Sequence, residues 1–285
     1  MYNTIVVGYD DSDYSKAALL EVSGRVKRHG GKVVLVHAVF FDEEEFGIAP
    51  VQLEKRFELG RNVCYQAREK YSAEFGIDIE TIVCQGEPAE IIAEVASARD
   101  AGLVAMGTHG RRGLKRLIMG SVTSSVIAAS GSDVLVVKKH CKKCEGQYRS
   151  VLVAYDGSAY SKKALERAGA FAKDEGAEIT VLYVIPRYEE MIGFFKTDSI
   201  RKSLADEAEK VLDTARETAR RMGFPMAAIV QEGSSAEKVA ETAAKLKSDL
   251  VIMGTFGWTG VDKAIMGSTT ERVIVNSPSP VLVVR

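Results

Sequence analysis

The chain is written twice. IVVGYDDSDYSKAALL at Ile5–Leu20 returns as VLVAYDGSAYSKKALE at Val151–Glu166, 146 residues later. Farther on, GTHGRRGLKRLIMGSVT at Gly107–Thr123 returns as GTFGWTGVDKAIMGSTT at Gly254–Thr270, at an offset of 147. Ala101–Val137 and Ser248–Val284 align without a gap, and 20 of the 37 positions are identical. Solenoid and propeller repeats are about 20–50 residues long, so a period this long is the length of a domain. The sequence predicts two copies of one domain, 1–138 and 150–285, joined by the polar linker 139–149 (KHCKKCEGQYR).

Within each copy, apolar β-branched runs alternate with helix-period segments. In the first, a strand is expected over Thr4–Tyr9 and a helix over Asp13–His29. Ser12 or Asp13 would cap that helix, and Gly30-Gly31 would stop it. Val33–Val39 reads as a second strand, followed by a charged insertion over Asp42–Pro50 and a long amphipathic helix over Val51–Phe75. A third strand over Ile77–Cys84, a helix opened by Pro88 and a fourth strand over Leu103–Met106 come next. A helix over Met119–Ser130 and the run Val134–Val137 close the unit. The second copy repeats this order, with its longest helix over Ser203–Met222 and its last strand at Val281–Val284. Near-continuous Val, Ile and Leu in the strands indicates sheets covered on both faces. The expected fold class is therefore α/β, two tandem doubly wound parallel-sheet domains. Ligands of such sheets bind outside the carboxyl ends of the strands, at the point where strand order reverses.

Composition narrows the function classes. Hydrophobic residues make up 46% and charged residues 27%, which excludes a wholly disordered or fibrous chain. A formal net charge of -1 offers no bulk attraction to nucleic acid or anionic membrane. The longest stretch without Asp, Glu, Lys or Arg, Leu117–Ser132, has 16 residues and is rich in Ser and Gly, short of the ~20 apolar residues of a membrane span. The opening MYNTIVVGYDD has neither the basic start nor the small-residue cleavage site of a secretory signal, and four cysteines are too few for a disulfide scaffold. A cytoplasmic protein is expected.

The chemistry concentrates in a glycine loop. Gly107-x2-Gly110-x9-Gly120-Ser121 begins at the end of a β-run and ends where a helix begins, and Gly254-x2-Gly257-x9-Gly267-Ser268 does the same in the second copy. Glycines let a ligand approach backbone N–H groups closely. The following helix start adds unpaired N–H donors and the positive end of the macrodipole. Ser121, Thr123, Ser268 and Thr270 are placed to supply hydroxyls there. This is the chemistry of a phosphate cradle, although glycines that only make turns would read the same way. The Walker loop G-x4-G-K-[ST] and the dinucleotide fingerprint G-x-G-x-x-G after the first strand are both absent, as are G-x-S-x-G and H-E-x-x-H.

The G-x2-G-x9-G-[ST] spacing, the Asp that ends the first strand and the closing VLVV strand resemble the universal stress protein family, over nearly the whole chain and twice. The resemblance implies five-stranded sheets of order 3-2-1-4-5 and, in one branch of the family, ATP held at the switch point, with accompanying magnesium left open. In that branch the first-strand Asp contacts the nucleoside, which is Asp10 or Asp156 here. The end of the second strand flanks adenine, which points to His37 and Ala38 and to Tyr183 and Val184. Met106 and Met253 precede the loops, and the phosphates would lie on Gly107, Gly110, Gly120, Ser121 and Val122, or on Gly254, Gly257, Gly267, Ser268 and Thr269. The other branch lacks the loop and does not bind ATP, whereas both copies here retain it. The family pairs its last strands between domains, so an internal pseudo-dimer through Val134–Val137 and Val281–Val284 is expected, with a further homodimer left open. The implied function is that of an ATP-binding stress-response protein whose nucleotide-dependent conformation is sensed by protein partners. Two alternatives remain: a scaffold or chaperone-like protein with vestigial sites, and a slow ATP-hydrolysing or AMP-transferring enzyme.

The copies differ inside the loop. Arg111, Arg112, Lys115 and Arg116 of the first face Trp258, Thr259, Asp262 and Lys263 of the second, which favours polyphosphate in the first. Asp10 and Asp156 read equally as ribose or metal contacts and as turn residues, with no nearby base to activate water. His37 reads as a satisfied imidazole or a ligand contact. Phe256 stands where the first loop has His109, against an essential catalytic role in both copies. In the linker, His140, Cys141 and Cys144 make half of a zinc site with no second Cys-x2-Cys, so zinc is not expected. Cys64 and Cys84 read as ordinary helix and strand residues. Phe40–Phe46 and Pro186–Lys196 mix acids with aromatics and read as loops over the crevice, or as a partner contact through Phe194 and Phe195.

Overall fold

A computed structural model describes residues 2–40, 50–110, 119–138, 146–186, 198–256 and 267–285. The chain divides into two compact units, Met1–Gln147 and Tyr148–Arg285. The first contains β1 (Thr4–Gly8), α1 (Asp13–His29), β2 (Lys32–Val39), α2 (Pro50–Phe75), β3 (Ile79–Gln85), α3 (Pro88–Ala98), β4 (Leu103–Gly107), α4 (Ser121–Ala129) and β5 (Asp133–Val137). The second contains β6 (Ser150–Ala154), α5 (Ala159–Glu175), β7 (Glu178–Pro186), α6 (Asp198–Met222), β8 (Met226–Gly233), α7 (Ser235–Leu246), β9 (Leu250–Gly254), α8 (Ser268–Asn276) and β10 (Val281–Val284).

Every strand pair within a unit is parallel. β1 lies between β2 and β4, with β3 outside β2 and β5 outside β4, which is the order 3-2-1-4-5. The second unit repeats it: β6 lies between β7 and β9, β8 flanks β7, and β10 flanks β9. The expected doubly wound α/β architecture is the observed one. Its central strands are apolar on both faces because helices cover both: all five residues of β4 and of β9 are buried. Fully burying a Leu, Ile or Val side chain contributes about 1.5–3 kcal/mol, and Ile5, Leu35, Leu103, Leu152 and Leu182 are all below 2% exposed.

Element ends differ from the sequence expectation where local chemistry is ambiguous. β3 starts at Ile79 rather than Ile77, three residues beyond the left-handed turn at Gly76 (φ 68). Helix α6 begins at Asp198, five residues earlier than expected. Ser12 caps α1: its side chain accepts a hydrogen bond from the Ser15 N–H at 3.2 Å. The chain leaves β1 toward β2 and β3 and returns on the other side to β4, so a crevice opens between the carboxyl ends of β1 and β4.

Candidate functional site

The first wall of the crevice is the turn from β1 into α1. Asp10 Oδ1 accepts from the Ser12 N–H at 3.1 Å and from the Ser12 hydroxyl at 2.6 Å. The Asp10 N–H lies 3.3 Å from Ser15 Oγ. Asp11, next in line, adopts φ 65, a conformation that Asp tolerates better than most residues; Gly157 takes the same place in the second unit at φ 82. Asp10 is therefore a turn residue, and the same bonds pre-orient its carboxylate toward the crevice. A Cβ on Gly110 would lie 2.8 Å from Asp10 Oδ2.

The three glycines of the loop are required for three different reasons. A Cβ on Gly107 would come within 2.6 Å of Tyr14 Cβ and 2.7 Å of the Tyr14 carbonyl carbon, so Gly107 lets α1 pack on the end of β4. Gly110 leaves room for the Asp10 carboxylate. Gly120 sits under the loop backbone, with its N–H donating to the Thr108 carbonyl at 2.9 Å. Thr123, expected to supply a hydroxyl, lines the cavity and donates to the Gly107 carbonyl at 2.7 Å; the Thr270 hydroxyl donates toward Gly254 at 3.3 Å. Each of these carbonyls ends a buried strand within reach of a hydroxyl in the helix's first turn. The first N–H groups of any helix lack an intrahelical acceptor, and at α4, which starts after Gly120, no N-cap side chain accepts from them.

These elements enclose a cavity of about 560 Å³, within the range of small-molecule sites. Its lining includes all nine residues singled out in the first copy: Asp10, His37, Ala38, Met106, Gly107, Gly110, Gly120, Ser121 and Val122. The structure adds an apolar wall of Val36, Phe40, Pro88 and Ile92, together with Glu87. Glu87 and Pro88 open α3, and the visible signal for them was the proline at a helix start after a strand.

Histidine 37 proves to be both satisfied and part of the site. Its Nδ1 lies 2.7 Å from the Tyr9 carbonyl oxygen. A carbonyl only accepts, so Nδ1 carries the proton of this bond and Nε2 faces away from it. His109 is buried, with its ring 5.2 Å from that of Tyr14, and Phe256 packs on Tyr160 at 5.4 Å in the same way. The shared role is aromatic packing on the first turn of α1 or α5. Behind the turn, the Tyr9 hydroxyl donates to Asp11 Oδ1 at 3.1 Å. Burial, then the Asp11 charge, pushes the Tyr9 phenol well above its ordinary value, and burial raises Tyr71 and lifts the Cys64 thiol to about 12. These groups are neutral at physiological pH and add no charge to the wall.

A model described as the universal stress protein family matches residues 1–138 and again 147–285. The chain belongs to the universal stress protein family. The universal stress protein MJ0531 of Methanocaldococcus jannaschii is 34% identical over 144 residues, 50% of this chain and 84% of that protein. Universal stress protein Rv2005c of Mycobacterium tuberculosis is 25% identical over 291 residues, covering 99% of this chain and 96% of its own. A crystal structure of a universal stress protein from Archaeoglobus fulgidus superposes with a TM-score of 0.76 at 24% identity, covering 99% of this chain and 98% of that one, and so shares the fold.

The second unit of this universal stress protein rebuilds the same turn and helix start. Asp156 Oδ1 accepts from the Ser158 N–H at 3.0 Å, and the Asp156 N–H lies 3.4 Å from Ser161 Oγ. The Gly267 N–H donates to the Thr255 carbonyl at 3.4 Å. Tyr183 and Val184 lie near the end of β7, half-buried, Met253 and Gly254 end β9, and Ser268 and Thr269 are exposed at the start of α8. Several expectations lie outside the described residues: Gly257, the loop cations Arg111, Arg112, Lys115 and Arg116, their counterparts Trp258, Thr259, Asp262 and Lys263, the linker trio His140, Cys141 and Cys144, and all but the first residue of each proposed crevice loop. Among the described residues, no group of three or more His, Cys, Asp or Glu is arranged to hold a metal ion, and no helix is long and apolar enough to cross a membrane.

Proposed function

We propose that this universal stress protein binds ATP in the crevice of its first unit, with a weaker site in the second, and that occupancy controls which protein partners it engages during stress. The observation that carries the reading is the single cavity wall shared by a pre-oriented carboxylate, an apolar slot and an uncapped helix start. Val36, Ala38, Pro88, Ile92 and Met106 offer apolar contact to a flat base. Asp10 is placed to accept from ribose hydroxyls. The first N–H groups of α4, with the Ser121 hydroxyl, meet the phosphates where the helix dipole favours negative charge. A ligand shifts conformation only through differential affinity, so ATP acts by ordering the elements that touch it more strongly in one state than in another.

The test is to purify the protein without added nucleotide, denature it, and count the released nucleotides by chromatography. One or two ATP per chain is the expected result. ADP or AMP alone would shift the reading toward turnover. Release of none, with no binding when ATP and magnesium are added back, would overturn it in favour of a scaffold with vestigial sites.

A further inference from the structure

Beside the main cavity, on the α2 side of β2, lies a second chamber of about 290 Å³. Asp10, His37, Ala38 and Phe40 line both spaces, whereas Arg56, Leu59, Gly60 and Val63 line the second alone. Gly60 holds it open: a Cβ there would stand 2.8 Å from His37 Cδ2 and displace the imidazole that forms the shared wall. Arg56 Nη1 donates to the Phe40 carbonyl at 2.9 Å, which ties α2 to the end of β2 and sets where the guanidinium lies. A guanidinium carries five N–H donors in a planar fork that matches a phosphate.

The chamber's chemistry belongs to the first unit. The buried positions Gly60, Cys64, Ala67 and Tyr71 of α2 recur with the same spacing in α6 as Ala208, Leu212, Ala215 and Ala219. In that phase Leu204 stands where α2 has Arg56, and the strand position of His37 is taken by Tyr183.

We propose that this chamber receives a phosphate carried on the ribose 2′ or 3′ oxygen of an adenine nucleotide, which makes the first unit a receptor for adenosine bisphosphates. The inference rests on the nucleotide reading of the main cavity. With Asp10 at the junction accepting from one ribose hydroxyl, a group on the neighbouring oxygen passes the Asp10–His37 wall and enters the chamber. There it meets the Arg56 guanidinium, with the apolar side chains of Val39 and Val63 beside it and Leu59 at the rim, and a charge-assisted bond to phosphate is the stronger kind. Among the described residues of the lining, Asp10 is the one acidic side chain, and its Oδ1 is held by Ser12.

The experiment is calorimetric titration of the full-length, nucleotide-stripped protein with AMP, ATP, adenosine 2′,5′-bisphosphate and adenosine 3′,5′-bisphosphate. At least one bisphosphate is expected to bind roughly tenfold more tightly than AMP, the worth of one charge-assisted hydrogen bond. Arg56→Leu, which installs the second unit's residue at a half-exposed position, is expected to abolish that advantage and leave AMP within about twofold of wild type. Leu59→Glu, at an exposed rim position, should also reduce it by charge repulsion. If AMP and ATP bind and neither bisphosphate binds more tightly, the inference fails and the main-site reading stands. An advantage that survives Arg56→Leu also overturns it. If none of the four binds, both readings fall together.

Discussion

The two units share what the backbone demands and differ in what side chains do at the crevice mouth. Gly107 and Gly254 each leave 2.6 Å between a would-be Cβ and the Cβ of Tyr14 or Tyr160, so both units pack a helix on a strand end with the same lack of slack. Asp10–Ser12 and Asp156–Ser158 make the same turn, and Thr123 and Thr270 reach back to the same glycine carbonyl. Around this frame the residues diverge: His37 against Tyr183, Glu87 against Ser234, Arg56 against Leu204. The Tyr9 hydroxyl is bonded to Asp11, but the Tyr155 hydroxyl lies 2.9 Å from Thr214 Oγ1. A close backbone approach tolerates no second solution, whereas a residue at the rim changes charge or shape at little cost to the fold.

The comparison breaks most visibly if the glycine frame is not equivalent in the two units. Gly107→Val and Gly254→Val are each expected to cost about 3 kcal/mol, because the obstructing atoms are helix backbone and the tyrosine Cβ fixed to it, which cannot move aside. Urea unfolding of each variant checks this, and wild-type stability in one of them would show that the packing differs. Gly120→Val and Gly267→Val sharpen the contrast in binding. Their would-be Cβ atoms lie 3.2 Å and 3.3 Å from the Thr108 and Thr255 carbonyl oxygens, so the backbone strain is matched. A loss of ATP affinity of roughly tenfold is expected from the first and a smaller loss from the second; equal losses by calorimetry would sink the ranking of the sites.

Alkaline pH separates the units through Cys64. Its folded pKa is about 12 against an ordinary 9.0, because burial disfavours the thiolate. Above pH 9 the unfolded thiol ionises while the folded one does not, so the unfolded state binds fewer protons and stability falls until about pH 12. The loss is about 1 kcal/mol per pH unit in that window. Leu212, at the matching buried position of α6, does not titrate. Thermal melts at pH 8 and pH 10 should show the first unit losing more, and Cys64→Ala should flatten its slope; an unchanged slope would contradict the buried thiol. The smallest effect is expected from His109→Phe, which copies Phe256 onto Tyr14. It should change stability by less than about 0.5 kcal/mol, and a larger loss in urea would mean that the Thr108 contact of the imidazole matters more than its packing.

Much of the site was legible because glycine spacing, strand-end aspartate and helix start are properties of neighbouring residues. Asp10, Gly107, Gly110, Gly120 and Ser121 were readable this way, His37 and Ala38 were implied only by the family resemblance, and the strand-to-helix alternation placed ligand chemistry at one edge of the sheet. Thr123 lines the cavity, and only the structure shows that its hydroxyl proton goes to the Gly107 carbonyl. Glu87, Pro88 and Ile92 were missed because they follow β3, and nothing local says that this strand's end stands beside β2.

The sequence by itself determined the duplication, the α/β class and the edge of the sheet where chemistry collects, since repeat, hydrophobic period and turn residues act over short stretches of chain. Only the tertiary structure decided that His37 is held by the Tyr9 carbonyl, that Gly60 makes room for it and that Arg56 stands over a second chamber. Those facts depend on which helix face packs against which strand end, and that is settled by the whole sheet and its covering layers rather than by any one segment.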